Sequence, residues 1–215
     1  MITYLEREVE FISGIVTKED LEEAAMELVA HMGMLNFSMR KVTERLGVSE
    51  ASIYRYFDTK ESLLRCCYDK INAQLVDLLQ VQLEAVIWQC AQKDPDEIFY
   101  SLWKCCFSYW VENTYRTIYY FEYRDSMQFG IPDGTEKVRE TVSFRRFEEC
   151  LQELEKRCPP SRSANIDYLW IYMIDVTGIF AKRVIRGELP DTEESYENIW
   201  RLISKGALGL VPNFF

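Results

Sequence analysis

The sequence predicts an all-α protein, a small N-terminal head followed by a longer helical body. Three observations predict it. Apolar residues recur at three- and four-residue spacing in segment after segment, the period of a helix and not of a strand. Glycine and proline are few, nine and six in 215 residues, and they punctuate the periodic stretches. Early in the chain one stretch runs helix, tight turn, helix, with glycine at the turn.

Composition sets outer bounds. Hydrophobic residues make up 48% and aromatics 14%, which marks a globular chain. No apolar run reaches the eighteen or so residues that span a bilayer; the longest, residues 166–181, is broken by Asp167 and Asp175. Glu6, Arg7, Glu8 and Glu10 stand where an export signal needs an apolar core, so a cytoplasmic location without a membrane partner is expected. Seven cysteines lack Cys-x-x-Cys spacing and read as reduced thiols in a helical core. The adjacent pairs Cys66-Cys67 and Cys105-Cys106 point about 100° apart on a helix, poorly placed to share a metal or to bond to each other; a thiol sensor built on them is the alternative. There is one histidine, His31, expected at a helix surface, and no phosphate loop or nucleophile elbow. No catalytic residue, metal or cofactor is expected.

In chain order, residues 1–16 place Ile2, Leu5, Val9, Ile12 and Val16 at helical intervals, an amphipathic extension. Thr17 and Asp20 form a capping-box start, and Leu21, Ala25, Leu28, Val29 and Met32 give the next helix its buried stripe until Gly33. Ser38 caps a helix carrying Val42 and Leu46, which Gly47 ends with a positive φ. Ser49 is placed to cap a short helix, Ser49–Tyr56, with Ile53 and Phe57 inward and Ser52, Arg55 and Tyr56 outward. Thr59 caps the helix after it. Between Ser38 and Lys60 five basic residues face three acidic ones, +2 on a chain of net charge −10. A small basic face on an acidic body suits site-specific DNA binding with weak non-specific affinity.

Ala25, Leu28, Gly33, Ser38, Gly47-Val48-Ser49, Ile53-Tyr54, Phe57, Lys60 and Leu63 stand in the order of a known pattern. The stretch resembles the helix-turn-helix of the TetR family of transcriptional regulators. The resemblance implies a DNA-binding domain at 1–58 and a ligand-binding and dimerisation domain at 59–215. It implies that Ser38, Ser49, Tyr54, Tyr56 and Lys60 touch the DNA backbone. Glu50, Ala51, Ser52 and Arg55 are placed to meet base edges, and Arg40 adds a cation.

Beyond Thr59 one helix is expected to run to about Ala91, and Asp94-Pro95 opens the next. Residues 99–129 hold twelve aromatics in thirty-one positions. Two readings stay open for them: a tightly packed aromatic core, or a cavity with polar handles. On the second, the resemblance places an apolar or aromatic effector among Trp103, Phe107, Trp110, Tyr119, Tyr120, Tyr123, Arg124, Tyr172 and Asp175, with Arg124 or Lys182 neutralising Asp175. Gly130 to Gly134 is a turn, 135–157 an amphipathic helix and 158–163 a proline loop. Helices over 165–186 and 191–210 follow, and the ending from Ile199 to Val211 again resembles the family. There the last two helices pair with a second subunit as a four-helix bundle, with Trp170, Ile174, Phe180, Trp200, Ile203 and Ala207 as interface candidates.

The expected function is a homodimeric, ligand-responsive transcriptional regulator, a repressor, on a pseudo-palindromic double-stranded operator. The alternative is a TetR-like protein that acts through a protein partner without binding DNA alone, suggested by the acidic helix at 18–32 and the lack of a basic N-terminal arm.

Overall fold

A computed structural model describes residues 16–87, 95–126, 142–157 and 166–208. Among the described residues there are nine α-helices, one 3-10 turn and no strand. The helices are α1 (Lys18–Met32), α2 (Met39–Leu46), α3 (Glu50–Tyr54), α4 (Lys60–Ile87), α5 (Pro95–Glu112), α6 (Thr114–Ser126), α7 (Val142–Arg157), α8 (Ile166–Ile185) and α9 (Glu193–Leu208), and the 3-10 turn is Met34–Asn36. The N-terminal extension, the cap at Asp94, the turn at 130–134 and the proline loop lie outside the described residues. So do the last residues expected for the long helix and the first ones expected for the helix at 135–157.

Local chemistry explains most helix ends. Thr17 and Asp20 satisfy each other's backbone amides in a full capping box. The Ser38 hydroxyl accepts from the Lys41 amide at 3.4 Å, and Gly47 closes α2 at φ 65°, in the left-handed region. Thr59 and Ser62 exchange side-chain and backbone bonds to start α4. Ser49 departs from expectation. It stands at the N-cap of α3 but its hydroxyl pairs with the Ser52 hydroxyl at 3.1 Å and caps no amide. The helix it precedes is also shorter than expected, five residues ending at Tyr54.

The aromatic region at 99–129 is two helices. Asn113 divides them: its side-chain amide donates to the Tyr109 carbonyl at 2.8 Å, occupying the last turn of α5 and releasing the chain into α6. Helix α6 then packs on α1, α4, α5 and α8, and α7 lies along α4. The buried side chains of the head (Leu21, Ala25, Val29, Val42, Ile53, Phe57) are continuous with those of the body (Leu63, Cys67, Ile71, Phe107, Tyr119, Ile203). A second cluster joins Val76, Leu79, Leu83 and Val86 of α4 to Ile98 and Leu102 of α5. The head is therefore seated on the body by a shared core.

Candidate functional site

The head's outer face is built by burying the other side of the same short helix. Ile53 is fully buried and Phe57 nearly so, which fixes the rotation of α3 and leaves Ser49, Glu50, Ala51, Tyr54 and Arg55 exposed, with Ser52 half-buried. Tyr54 is an exposed aromatic, 52% accessible. Two of the outward residues are tied to the head itself. Tyr56 donates its hydroxyl to the Val16 carbonyl at 3.1 Å, and Lys60 donates to the Phe37 carbonyl at 2.9 Å while lying over the Phe37 ring. Arg40 is exposed on α2 and bonded to Glu44. The expected residues thus lie at the start of α2, on and just after α3, and at the start of α4.

Behind this surface, α1 is joined to the body by a part-buried polar network. Glu23 accepts from the Tyr115 hydroxyl at 2.6 Å, Arg116 at 2.8 Å and Lys70 at 2.9 Å. Arg116 also donates to Gln74, which accepts from the Tyr109 hydroxyl as well. Burial pushes the Glu23 carboxyl up, but the Tyr115 hydroxyl, Lys70 and Arg116 outweigh it and hold the group below its ordinary value. Lys70 further pairs with Glu19 and Glu22, and the Met34 amide donates to Glu122 of α6 at 3.4 Å. Sequence reasoning missed this network, because its members are scattered over α1, α4, α5 and α6.

Residues 21–67 match the family model described as bacterial regulatory proteins of the TetR family. That span runs from α1 through α3 into α4, the whole helix-turn-helix. Over these residues the chain carries a TetR-type helix-turn-helix. The transcriptional regulator BetI of Escherichia coli is 19% identical over 183 residues, 80% of this chain and 85% of that one. In fold, a TetR family regulator from Marinobacter aquaeolei aligns over 90% of this chain and 94% of its own, with a TM-score of 0.69 at 19% identity. The fatty acid degradation regulator FadR from Bacillus halodurans aligns over 90% and 98%, with a TM-score of 0.61 at 15% identity.

In this TetR-type body the aromatic candidates sit against one another. Trp103 stacks on Phe107 with centroids 4.8 Å apart, Trp110 meets Tyr120 at 4.9 Å, and Tyr120 stacks on Tyr68 at 4.9 Å. Their polar ends find partners: Trp103 donates to Thr177, Tyr119 to the Leu64 carbonyl and Tyr120 to Asn72. Tyr123 packs on Tyr68, and Tyr172 donates to the Ile203 carbonyl at 3.4 Å. Asp175 is neutralised by Arg124 at 2.8 Å, whereas Lys182 lies over the Phe121 ring. A cavity of about 350 Å³ opens elsewhere, between α8 and α9, lined by Phe180, Leu189, Pro190, Thr192, Glu194, Ser195, Asn198, Ile199 and Leu202.

The interface candidates divide. Ile203 is fully buried and Trp200 nearly so, packed on Trp103 within the chain's own core, so neither offers surface to a second subunit. Ile174 and Phe180 are half-buried. The side chains of Trp170 and Ala207 lie outside those described. Among the described residues, the large apolar side chains that α8 and α9 expose are Ile179 and Leu202, 50% and 64% accessible. The periodicity shows a stripe, but which edge of it meets solvent depends on how α5 packs.

Thiol chemistry is muted. Cys67 is buried, Cys66, Cys105, Cys106 and Cys150 are half-buried, and all five are free of disulfides. Burial raises each of these thiols and keeps it protonated. Among the described residues no cluster of His, Cys, Asp and Glu is suited to a metal, and no helix is long and apolar enough to cross a membrane.

Proposed function

We propose that this chain acts as a homodimeric, ligand-responsive repressor that reads a pseudo-palindromic DNA operator through α3. The observation that carries the reading is the exposed row Ser49, Glu50, Ala51, Tyr54 and Arg55, held outward by the burial of Ile53 and Phe57 on the opposite side. Ser38, Tyr54 and Lys60 border phosphates, and Glu50, Ala51, Ser52 and Arg55 lie in the major groove. Residues 1–58 serve as the DNA-binding unit and 59–215 as the ligand-binding and dimerisation unit, and α8 and α9 pair with their copies.

The effector site lies in the body, where aromatic rings are densest. One relative of similar fold, FadR from Thermus thermophilus (17% identity, TM-score 0.51), was solved in complex with lauroyl-CoA, which supports an effector with a large apolar part. Such a ligand must separate rings that now touch. An effector that prefers the separated arrangement shifts DNA binding by its difference in affinity for the two states, and by no more.

Selection of bound DNA from random duplexes tests this reading. The wild type is expected to enrich a palindrome with half-sites about one helical turn apart, or a multiple of that. Tyr54→Ala is expected to lose the enrichment while staying folded, because Tyr54 supports no core contact. A folded wild type that enriches no sequence refutes the reading and favours a regulator that acts through a protein partner.

A further inference from the structure

We propose that Glu44 is a specificity-determining residue of the head, holding the Arg40 guanidinium on the protein so that bulk DNA is gripped weakly and an operator is chosen by short-range contacts. This rests on the DNA-binding reading above.

Arg40 and Glu44 sit one turn apart on the exposed side of α2, and Arg40 Nε donates to Glu44 Oε1 at 2.7 Å. The pair is on the helix-turn-helix face, since Glu50, the first residue of α3, also acts electrostatically on Arg40. The cation beside the reading helix is therefore held by Glu44 and feels the charge of Glu50 as well. Its neighbours are engaged too: Lys41 donates to the Asn36 carbonyl at 2.6 Å, Arg45 pairs with Glu27 at 3.2 Å and Lys60 bonds the Phe37 carbonyl. Arg55, over the Tyr56 ring at 5.9 Å, is without a carboxylate or carbonyl partner among the described residues.

Non-specific binding to duplex DNA is driven by release of condensed counterions, with log K falling by about 0.9 per neutralised phosphate for each unit of log salt. An arginine matched by a carboxylate one turn away neutralises little phosphate. Both side chains are exposed, at 74% and 56%, so the pair adds little to the fold and its carboxylate can be removed without unfolding the head. Removing it should strengthen contact with every duplex alike, and so narrow the preference for the operator.

The test uses the full-length chain and two duplexes, one of random sequence and one carrying the selected palindrome, across about 50 to 200 mM salt. Wild type, Glu44→Gln, Arg40→Ala and the double variant are compared, with circular dichroism confirming the fold; Glu44→Ala serves if Glu44→Gln does not fold. Glu44→Gln is expected to bind the random duplex several-fold more tightly, to steepen the salt slope by about 0.9, and to lower the ratio of specific to random affinity. In the Arg40→Ala background the gain should vanish. Unchanged random-duplex binding in Glu44→Gln overturns the proposal, as does a gain that persists without Arg40. A wild type that binds neither duplex defeats the DNA-binding reading itself, and this proposal with it.

Discussion

Glu23 of α1 and Arg116 of α6 meet at 2.8 Å across the joint between head and body. Both are largely shielded, with side chains 24% and 19% accessible, and Tyr115 and Lys70 complete the carboxylate's shell. Arg116→Ala leaves Glu23 with fewer donors in a half-buried place. The expected cost is about 1–3 kcal/mol in unfolding free energy, read from urea denaturation. The Glu23→Gln, Arg116→Ala double variant should cost less than the sum of the two single changes.

The same joint sets an acid limit. The Glu23 carboxyl is held below its ordinary value by its donors, so its contribution is present above the unfolded pKa of about 4.3. It is lost as pH falls through the lower folded value. Wild type should therefore lose stability more steeply than Glu23→Gln below about pH 4.3. Equal slopes for the two in acid denaturation would remove Glu23 as the cause.

Gly178 of α8 faces Phe121 of α6. A Cβ added there would lie 1.9 Å from Cζ of the Phe121 ring, inside any tolerable contact. Phe121 is held in turn by Lys182 above it and by Trp110 and Tyr120 beside it. Gly178→Ala is expected to destabilise by about 1–3 kcal/mol or more through overpacking, with a matching fall in melting temperature. Adding Phe121→Leu, which removes the ring, should restore part of it.

Leu202 and Ile203 are neighbours with opposite fates. Leu202 is 64% accessible and Ile203 is fully buried. If α8 and α9 form the subunit interface, Leu202→Glu should yield a folded monomer in analytical ultracentrifugation. Ile203→Glu should instead unfold the body, because it buries an unpaired carboxylate. A Leu202→Glu variant that stays dimeric would move the interface away from that edge.

Ser38→Ala removes the hydroxyl that accepts from the Lys41 amide. The bond is long, so the loss is expected at the lower end of the usual range for a cap, about 0.5–1 kcal/mol, with Ser38→Gly milder. Thermal unfolding of the two variants beside wild type checks it.

By itself the sequence determined most of what depends on near neighbours, the Ser49 hydroxyl's choice of Ser52 excepted. Helix period and caps follow from residues three or four apart, so Thr17, Ser38, Gly47 and Thr59 mark their boundaries plainly, and the turn before α3 follows with them. The opposed placements of Ile53 and Tyr54 follow from the same period. That Asp175 needs a cationic partner was also legible, because a charge in an apolar run needs one; only the structure chose Arg124 over Lys182. Tertiary structure alone decided which of several admissible partners each residue met. It brought Glu23, Lys70 and Arg116 together across helices distant in sequence, and sent Trp200 and Ile203 inward while leaving Leu202 out. These outcomes depend on how helices cross and rotate against one another. That is set by the summed packing of many side chains, such as the bare Gly178 beneath Phe121, and not by any local run of residues.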